Sequence, residues 1–199
     1  MRVDIFWALT VFCFVGAITP GPNNLMLMAS GLNFGVRRTL PHLMGVVLGF
    51  TFMILVVGAG LGAIFTQLPF LLPVLRYVGA AYMLWLAWRI AFSGPLSEAA
   101  SGRRPLGFFG AAGFQWVNPK AWVLAIGALT AYPVSDSYAQ TVLVVTAVDA
   151  VVGLPGSGFW ALFGASMRRF LGNPRILRAF NVAMALLLAA SVVPVLMEG

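Results

Sequence analysis

Charge is scarce in this chain: of 199 residues only 9% are charged, and five of those are acidic. Its one cysteine, Cys13, excludes an internal disulfide and a dithiol relay that carries electrons. Its one histidine, His42, with so few acids, leaves too few ligands for a metal-ion exporter. Nucleophilic catalysis needs a base near the nucleophile. His42 is distant in sequence from Ser157, and the Leu-Pro-Gly-Ser-Gly run at 154–158 does not match a Gly-x-Ser-x-Gly elbow. Neither an enzyme nor a cofactor or metal is expected. The net charge of +7 raises nucleic acid as a partner, but the basic residues fall in the connections between apolar stretches. Lipid headgroups and membrane orientation account for them better.

What the chain has instead is apolar length. Hydrophobic residues make up 61% of it, and the mean hydropathy of +0.96 lies far outside the range of a soluble domain. A helix needs about 20 apolar residues to cross the hydrocarbon core, and six candidate spans meet that length: about 5–30, 40–65, 71–92, 108–132, 139–165 and 176–197. The expected architecture is an all-α integral membrane protein, a single transmembrane domain over residues 1–199. Arg2 before an apolar core resembles a signal peptide, yet the run continues through Leu25-Met26-Leu27-Met28, which reads as a retained span. Arg37 and Arg38, then Arg103 and Arg104, then Arg168, Arg169, Arg175 and Arg178 fall in alternate connections, while Gln67 and Asp136 stand in the others. Basic loops stay cytoplasmic, so both termini are expected outside the cytoplasm, with Arg2 and Arg76 as minor objections.

The longest polar connection, 93–105, divides the chain into repeats of about 1–93 and 105–199. Each holds three spans, an odd number, so two like halves would enter the membrane from opposite sides, as inverted repeats do in many secondary transporters. Span one breaks at Thr19-Pro20-Gly21-Pro22-Asn23, and its counterpart, span four, breaks at Val117-Asn118-Pro119-Lys120. Pro20, Pro22 and Pro119 have no N–H to return to the carbonyls of Gly16, Ile18 and Gln115, and lipid supplies no substitute donor. Those oxygens must face protein or a wet cavity. Beyond each break a half-helix can start, with Asn118 as N-cap and Pro119 at the first helical position, and with Gly21-Pro22 in the same part. Free N–H groups and the positive dipole ends would then point at the midplane, a site suited to a carboxylate. The plain alternative is a pair of proline kinks that only shape packing.

Lys120 and Asp149 both fall deep in spans, where each alone costs about 2.5–3.5 kcal/mol on insertion scales. They either form an ion pair that locks spans four and five, or they serve an anion site (Lys120) and an ammonium or proton site (Asp149). The 154–158 run predicts an irregular helix just beyond Asp149. His42 reads as an interfacial or packing residue, Gly45 and Gly49 as a close helix approach, and Trp85, Trp88 and Arg89 as an interfacial anchor.

The runs "ITPGPNNLMLMASGLNFGVRRTLPHLMGVVLGF", "VGAAYMLWLAWRIA" and "FQWVNPKAWV" resemble the LysE/RhtB family of amino-acid exporters, over nearly the whole chain. The first hundred residues look most like its cysteine and O-acetylserine exporters. The resemblance implies six-helix carriers that move small amino acids out of the cytoplasm, driven by proton motive force. Many members carry an aspartate after the span-two glycine that corresponds to about Gly49; here Phe50 and Thr51 follow, leaving Asp149 without a second acid. That favours a neutral zwitterion over lysine or arginine. The expectation is therefore a secondary exporter of small neutral amino acids, of cysteine/O-acetylserine or threonine/homoserine type, in a bacterial inner membrane, working by proton antiport. Its substrate site would comprise Thr19, Pro20, Gly21, Pro22, Asn23, Asn118, Pro119 and Lys120. The expected partners are amino acid, protons and lipid, with a homodimer entertained on size alone. Export of another small solute or cation, or a channel, is the alternative.

Overall fold

The computed structural model describes residues 2–61, 70–92, 104–167 and 173–197. The described residues are helical, with no strand among them. Helix α1 (Val3–Ile18) and α2 (Pro22–Phe34) flank the first break, and α3 (Val36–Val56) continues into a π turn at Val57–Leu61. Then come α4 (Leu71–Ala91), the short α5 (Phe108–Phe114), a 3-10 turn at Gln115–Val117, and α6 (Pro119–Ala131). The chain ends with α7 (Tyr138–Met167), α8 (Pro174–Ala190) and α9 (Val192–Met197). The division between the halves, together with Gln67, Arg103, Arg168 and Arg169, lies outside the described residues except at Arg104 and Pro105.

Among the described residues two stretches, Val36–Gly60 and Tyr138–Met167, are each long and apolar enough to cross a membrane, and α1 and α2, bent by 54° at their break, reach that length and apolarity only when taken together. Large apolar side chains such as Trp7, Phe109, Val123 and Val151 stand exposed around the bundle, a surface suited to lipid rather than water. This is a multi-pass membrane protein.

Several elements depart from the sequence expectation. The connection between spans one and two shrinks to Gly35, whose φ of 76° only glycine adopts freely. Arg37 and Arg38 consequently lie in the first turn of α3. The 154–158 run does not make α7 irregular: the helix runs unbroken through Pro155. The physical reason is division of labour across the helix. Pro155 sits on the exposed face, while Gly156, Ser157 and Gly158 are buried, and a Cβ added at Gly156 would come within 2.6 Å of the Ala17 Cβ. These small residues admit a neighbour rather than break the backbone. His42 is buried, as the packing half of its reading expects.

Small residues set the other main approaches as well. Gly31 of α2 lies against the Ala161 carbonyl of α7, and Gly164 of α7 against the Met28 carbonyl of α2. Gly45 and Gly49 of α3 meet Phe108 and Ala112 of α5, the close approach their spacing predicts. The dominant packing pairs are α2 with α7, α3 with α7, α1 with α7, α3 with α5, and α4 with α8. Buried polar links reinforce them: Ser30 with Thr39 at 3.0 Å, and a reciprocal Asn33–Asn181 amide pair at 3.0 and 3.2 Å. Arg2 pairs with Asp136 at 3.0 Å on the surface, bringing the start of α1 to the α6–α7 connection.

A methyl group at Gly31 has nowhere to go, whereas one at Gly113 meets nothing within 4 Å. Gly31→Ala should cost about 1–3 kcal/mol by overpacking and lower the thermal midpoint in detergent. Gly113→Ala should leave it unchanged or raise it slightly. Equal midpoints for the two variants would refute the close α2–α7 seam.

Candidate functional site

The two breaks meet. At the first, Thr19 and Gly21 are extended, which turns the chain from α1 into α2 with Gly21 as N-cap and Pro22 at the first helical position. At the second, Asn118 is extended and its side-chain oxygen accepts from the Lys120 backbone N–H at 3.2 Å, the cap its sequence predicts. The Lys120 ammonium then reaches across to donate to the Thr19 carbonyl at 2.7 Å. Beside it, Asn23 and Gln115 exchange amide hydrogen bonds at 2.8 and 3.2 Å.

Two of the three carbonyls released by the prolines find protein donors. Ile18 O, orphaned by Pro22, accepts from the Trp160 indole of α7 at 3.0 Å. Gln115 O, orphaned by Pro119, accepts from Asn118 N–H at 3.3 Å through the 3-10 turn. Asn24 spans the first break, donating to Ala17 O and Thr19 O, both at 2.8 Å. Gln115 also donates to Ala111 O at 2.9 Å, and the Trp122 indole to Trp116 O at 2.9 Å.

Asn23, Asn24, Gln115, Asn118 and Lys120 line one cavity of about 60 Å3, room for a few waters. Of the residues predicted from sequence, Gly21, Asn23, Asn118, Lys120 and Asp149 line it together. Thr19 lies outside the lining and takes part through its carbonyl. Pro20, Pro22 and Pro119 also stand outside it and act only through the backbone they shape. Asp149 is 4% exposed and accepts one long hydrogen bond, 3.4 Å, from the Thr51 hydroxyl. Lys120 and Asp149 share the cavity without an ion pair; among the described residues the ion pair is Arg2–Asp136. The helix-locking role for the two deep charges therefore does not hold.

The donors are unequal at the two half-helices. At α6 the Asn118 side chain already occupies the Lys120 N–H, whereas α2 has no side-chain cap. A free anion would thus find open backbone N–H groups at α2 and an ammonium, with the Asn118 amide, at α6. Asp149 supplies the opposite charge from α7. The arrangement suits a small zwitterion.

Sequence reasoning missed Asn24, Gln115, Trp160, Cys13 and the Thr51 partner of Asp149. Asn24 stands beside Asn23 in the first motif, and Gln115 lies one turn before Asn118, so each carried a local signal. Trp160 and Cys13 carried none, because only the packing of α7 and α1 brings them to the break and the cavity.

The sequence pattern of the family described as LysE type translocator matches residues 14–199. The cysteine/O-acetylserine efflux protein of Salmonella typhimurium is 33% identical, covering 94% of this chain and 94% of that protein. The protein of the same name in Escherichia coli is 32% identical, over 94% of this chain and 93% of its own length. Both names describe transport rather than catalysis. No solved structure matches the chain.

Asn24→Leu would strip the Ala17 carbonyl of its side-chain donor and the Thr19 carbonyl of one of two. A buried polar group left unpaired costs about 1–3 kcal/mol, so the thermal midpoint in detergent should fall. Thr130→Val, which removes an exposed hydroxyl bonded within its own helix, should stay within about 0.5 kcal/mol. Indistinguishable melting of the two variants would show that the first break does not depend on Asn24.

Proposed function

Because the chain belongs to the family of LysE type translocators, we propose that it exports a small neutral amino acid across a bacterial inner membrane in exchange for protons. The observation that carries this reading is the convergence of Lys120, Asn118, the start of α2 and Asp149 on one cavity between two broken helices. The names of the relatives, cysteine/O-acetylserine efflux proteins, favour that substrate class.

In the proposed cycle the substrate carboxylate displaces the Thr19 carbonyl from the Lys120 ammonium and takes the open N–H groups of α2. A bond charged on both sides, ammonium to carboxylate, exceeds in strength the ammonium–carbonyl bond it replaces, where only the donor is charged. The substrate ammonium faces Asp149, whose hold on Thr51 is weak enough at 3.4 Å to be given up. A proton and an ammonium compete for the same carboxylate, so binding of one releases the other. One proton enters for each amino acid that leaves.

Alternating access is carried by six spans in two inverted repeats. The packing supports this reading. Exchanging the halves carries α1–α2 onto α5–α6, α3 onto α7 and α4 onto α8. Under that exchange the contacts of α1 with α7 become those of α5 with α3, and the α3–α7 and α4–α8 pairs map onto themselves; the extensive α2–α7 pair has only a minor counterpart in α6–α3. The exchanged α1–α7 and α5–α3 interfaces are both closed by glycine, Gly156 against Ala17 in one, Gly45 and Gly49 against Phe108 and Ala112 in the other. The arginine-bearing connections would face the cytoplasm and both termini the opposite side, in keeping with the Arg2–Asp136 pair.

The test is efflux of preloaded radiolabelled cysteine, O-acetylserine, threonine, homoserine, leucine and lysine from proteoliposomes, with and without an inward proton gradient. Gradient-dependent efflux of one or two neutral amino acids is expected. Asp149→Asn should abolish the gradient dependence, and Lys120→Ala should reduce efflux at least tenfold in protein shown to be folded. Wild-type efflux with unchanged pH dependence in Asp149→Asn would sink the antiport mechanism.

A further inference from the structure

A buried polar group almost always has a hydrogen-bond partner. His42 does not. It is 2% exposed, and among the described residues neither Nδ1 nor Nε2 has a partner. The ring lines a second cavity, about 270 Å3 against the 60 Å3 at the breaks. Ser30 and Asn33 share its wall but are already engaged, Ser30 with Thr39 and Asn33 with Ala29 O and the Asn181 amide. The imidazole is the buried group there that still needs a partner.

The lining states what that partner is. Among the described residues its charged members are Arg89 and Arg104, with no acid beside them; Arg89 sits over the Trp85 ring at 5.0 Å. An imidazole without a partner among the described residues, in a cavity whose described charges are positive, suits an anionic oxygen group. A neutral imidazole offers one N–H and one lone pair: the first suits a carboxylate, the second an ammonium hydrogen. The remaining wall, including Met26, Ala29, Leu86 and Ile90, is apolar, which suits a small organic ion over a bare inorganic one. Helix α2 lines both cavities, Asn23 and Asn24 in one and Asn33 in the other. Ten residues of helical rise separate Asn23 from Asn33, about 15 Å, too far for one small amino acid to touch both.

We propose that the His42 cavity is a loading site that takes a small amino acid by its carboxylate, with Arg89 and Arg104 at the mouth, before it moves along α2 to the breaks. This rests on the export reading above. Saturation of the loading site governs how much substrate is needed, whereas the breaks and Asp149 govern turnover. A phospholipid phosphate carries the same anionic chemistry, and the test separates the two sources.

Binding of radiolabelled L-cysteine, kept reduced, is measured on purified full-length protein in nanodiscs of phosphatidylcholine, then with phosphatidylglycerol added. Wild type should bind two molecules per chain. His42→Leu should bind one, as should Lys120→Ala through loss of the other site. In proteoliposomes His42→Leu should raise KM about tenfold with the maximal rate within twofold. His42→Gln, which keeps a donor and an acceptor, should recover part of the affinity, and this rescue guards against a Leu variant that fails to fold. Equal stoichiometry and affinity in wild type, His42→Leu and His42→Gln would overturn the loading site while leaving the export reading intact. A single wild-type site lost in His42→Leu but kept in Lys120→Ala would support the loading site and overturn the site at the breaks. No binding to wild type overturns both. Loss of the His42-dependent molecule on adding phosphatidylglycerol assigns the cavity to lipid and overturns the proposal.

Discussion

Lipid offers no hydrogen bonds, and the fold of this protein follows from that constraint. Interrupting a membrane helix releases backbone carbonyls that must be satisfied from within. Here the satisfaction is mutual: Lys120, which follows one break, donates to the Thr19 carbonyl at the other, and Asn23 and Gln115 bind each other across the same gap. Trp160 closes the Ile18 carbonyl from α7. Each interruption is thereby completed by residues from elsewhere in the chain.

That dependence explains the packing. For Lys120 to reach Thr19 the broken spans must approach within a side-chain length, and bulky residues at the seams would hold them apart. Gly16 and Gly21 remove that obstacle between the broken spans, lying against the Leu124 and Lys120 side chains, while Gly31, Gly164, Gly45 and Gly49 seat α7 against α2 and α3 against α5. Tight backbone approach replaces the hydrophobic effect, which does little between helices already dissolved in lipid. The polar links Asn33–Asn181 and Ser30–Thr39 then fix which faces meet.

One local device occurs in two settings. Asn118-Pro119-Lys120 and Asn173-Pro174-Arg175 both cap a helix, each asparagine accepting from the N–H two residues on, at 3.2 and 2.9 Å. Asn118 is buried and lines the cavity, while Asn173 is exposed at the start of α8. The motif encodes a helix start and nothing more. What turns the first copy into part of a candidate site is the set of helices around it.

Much was legible in the sequence because its causes are local. Apolar length determined that the chain lives in a membrane, and proline chemistry determined where spans one and four break and where α2 and α6 begin. The Asn118 cap followed from its own neighbours. Other features had no local cause. Pro155 resembled the residues that break spans one and four, yet α7 stays whole because its proline faces outward and its glycines face Ala17 and Leu43. The partner of Lys120, the long bond from Thr51 to Asp149, the Trp160 donor and the unpartnered His42 arise from contacts between residues far apart in the chain. The sequence by itself determined the membrane setting and the backbone groups left wanting a partner. Only the tertiary structure decided which residues answer them, since a hydrogen bond depends on a distance of about 3 Å that chain order does not record.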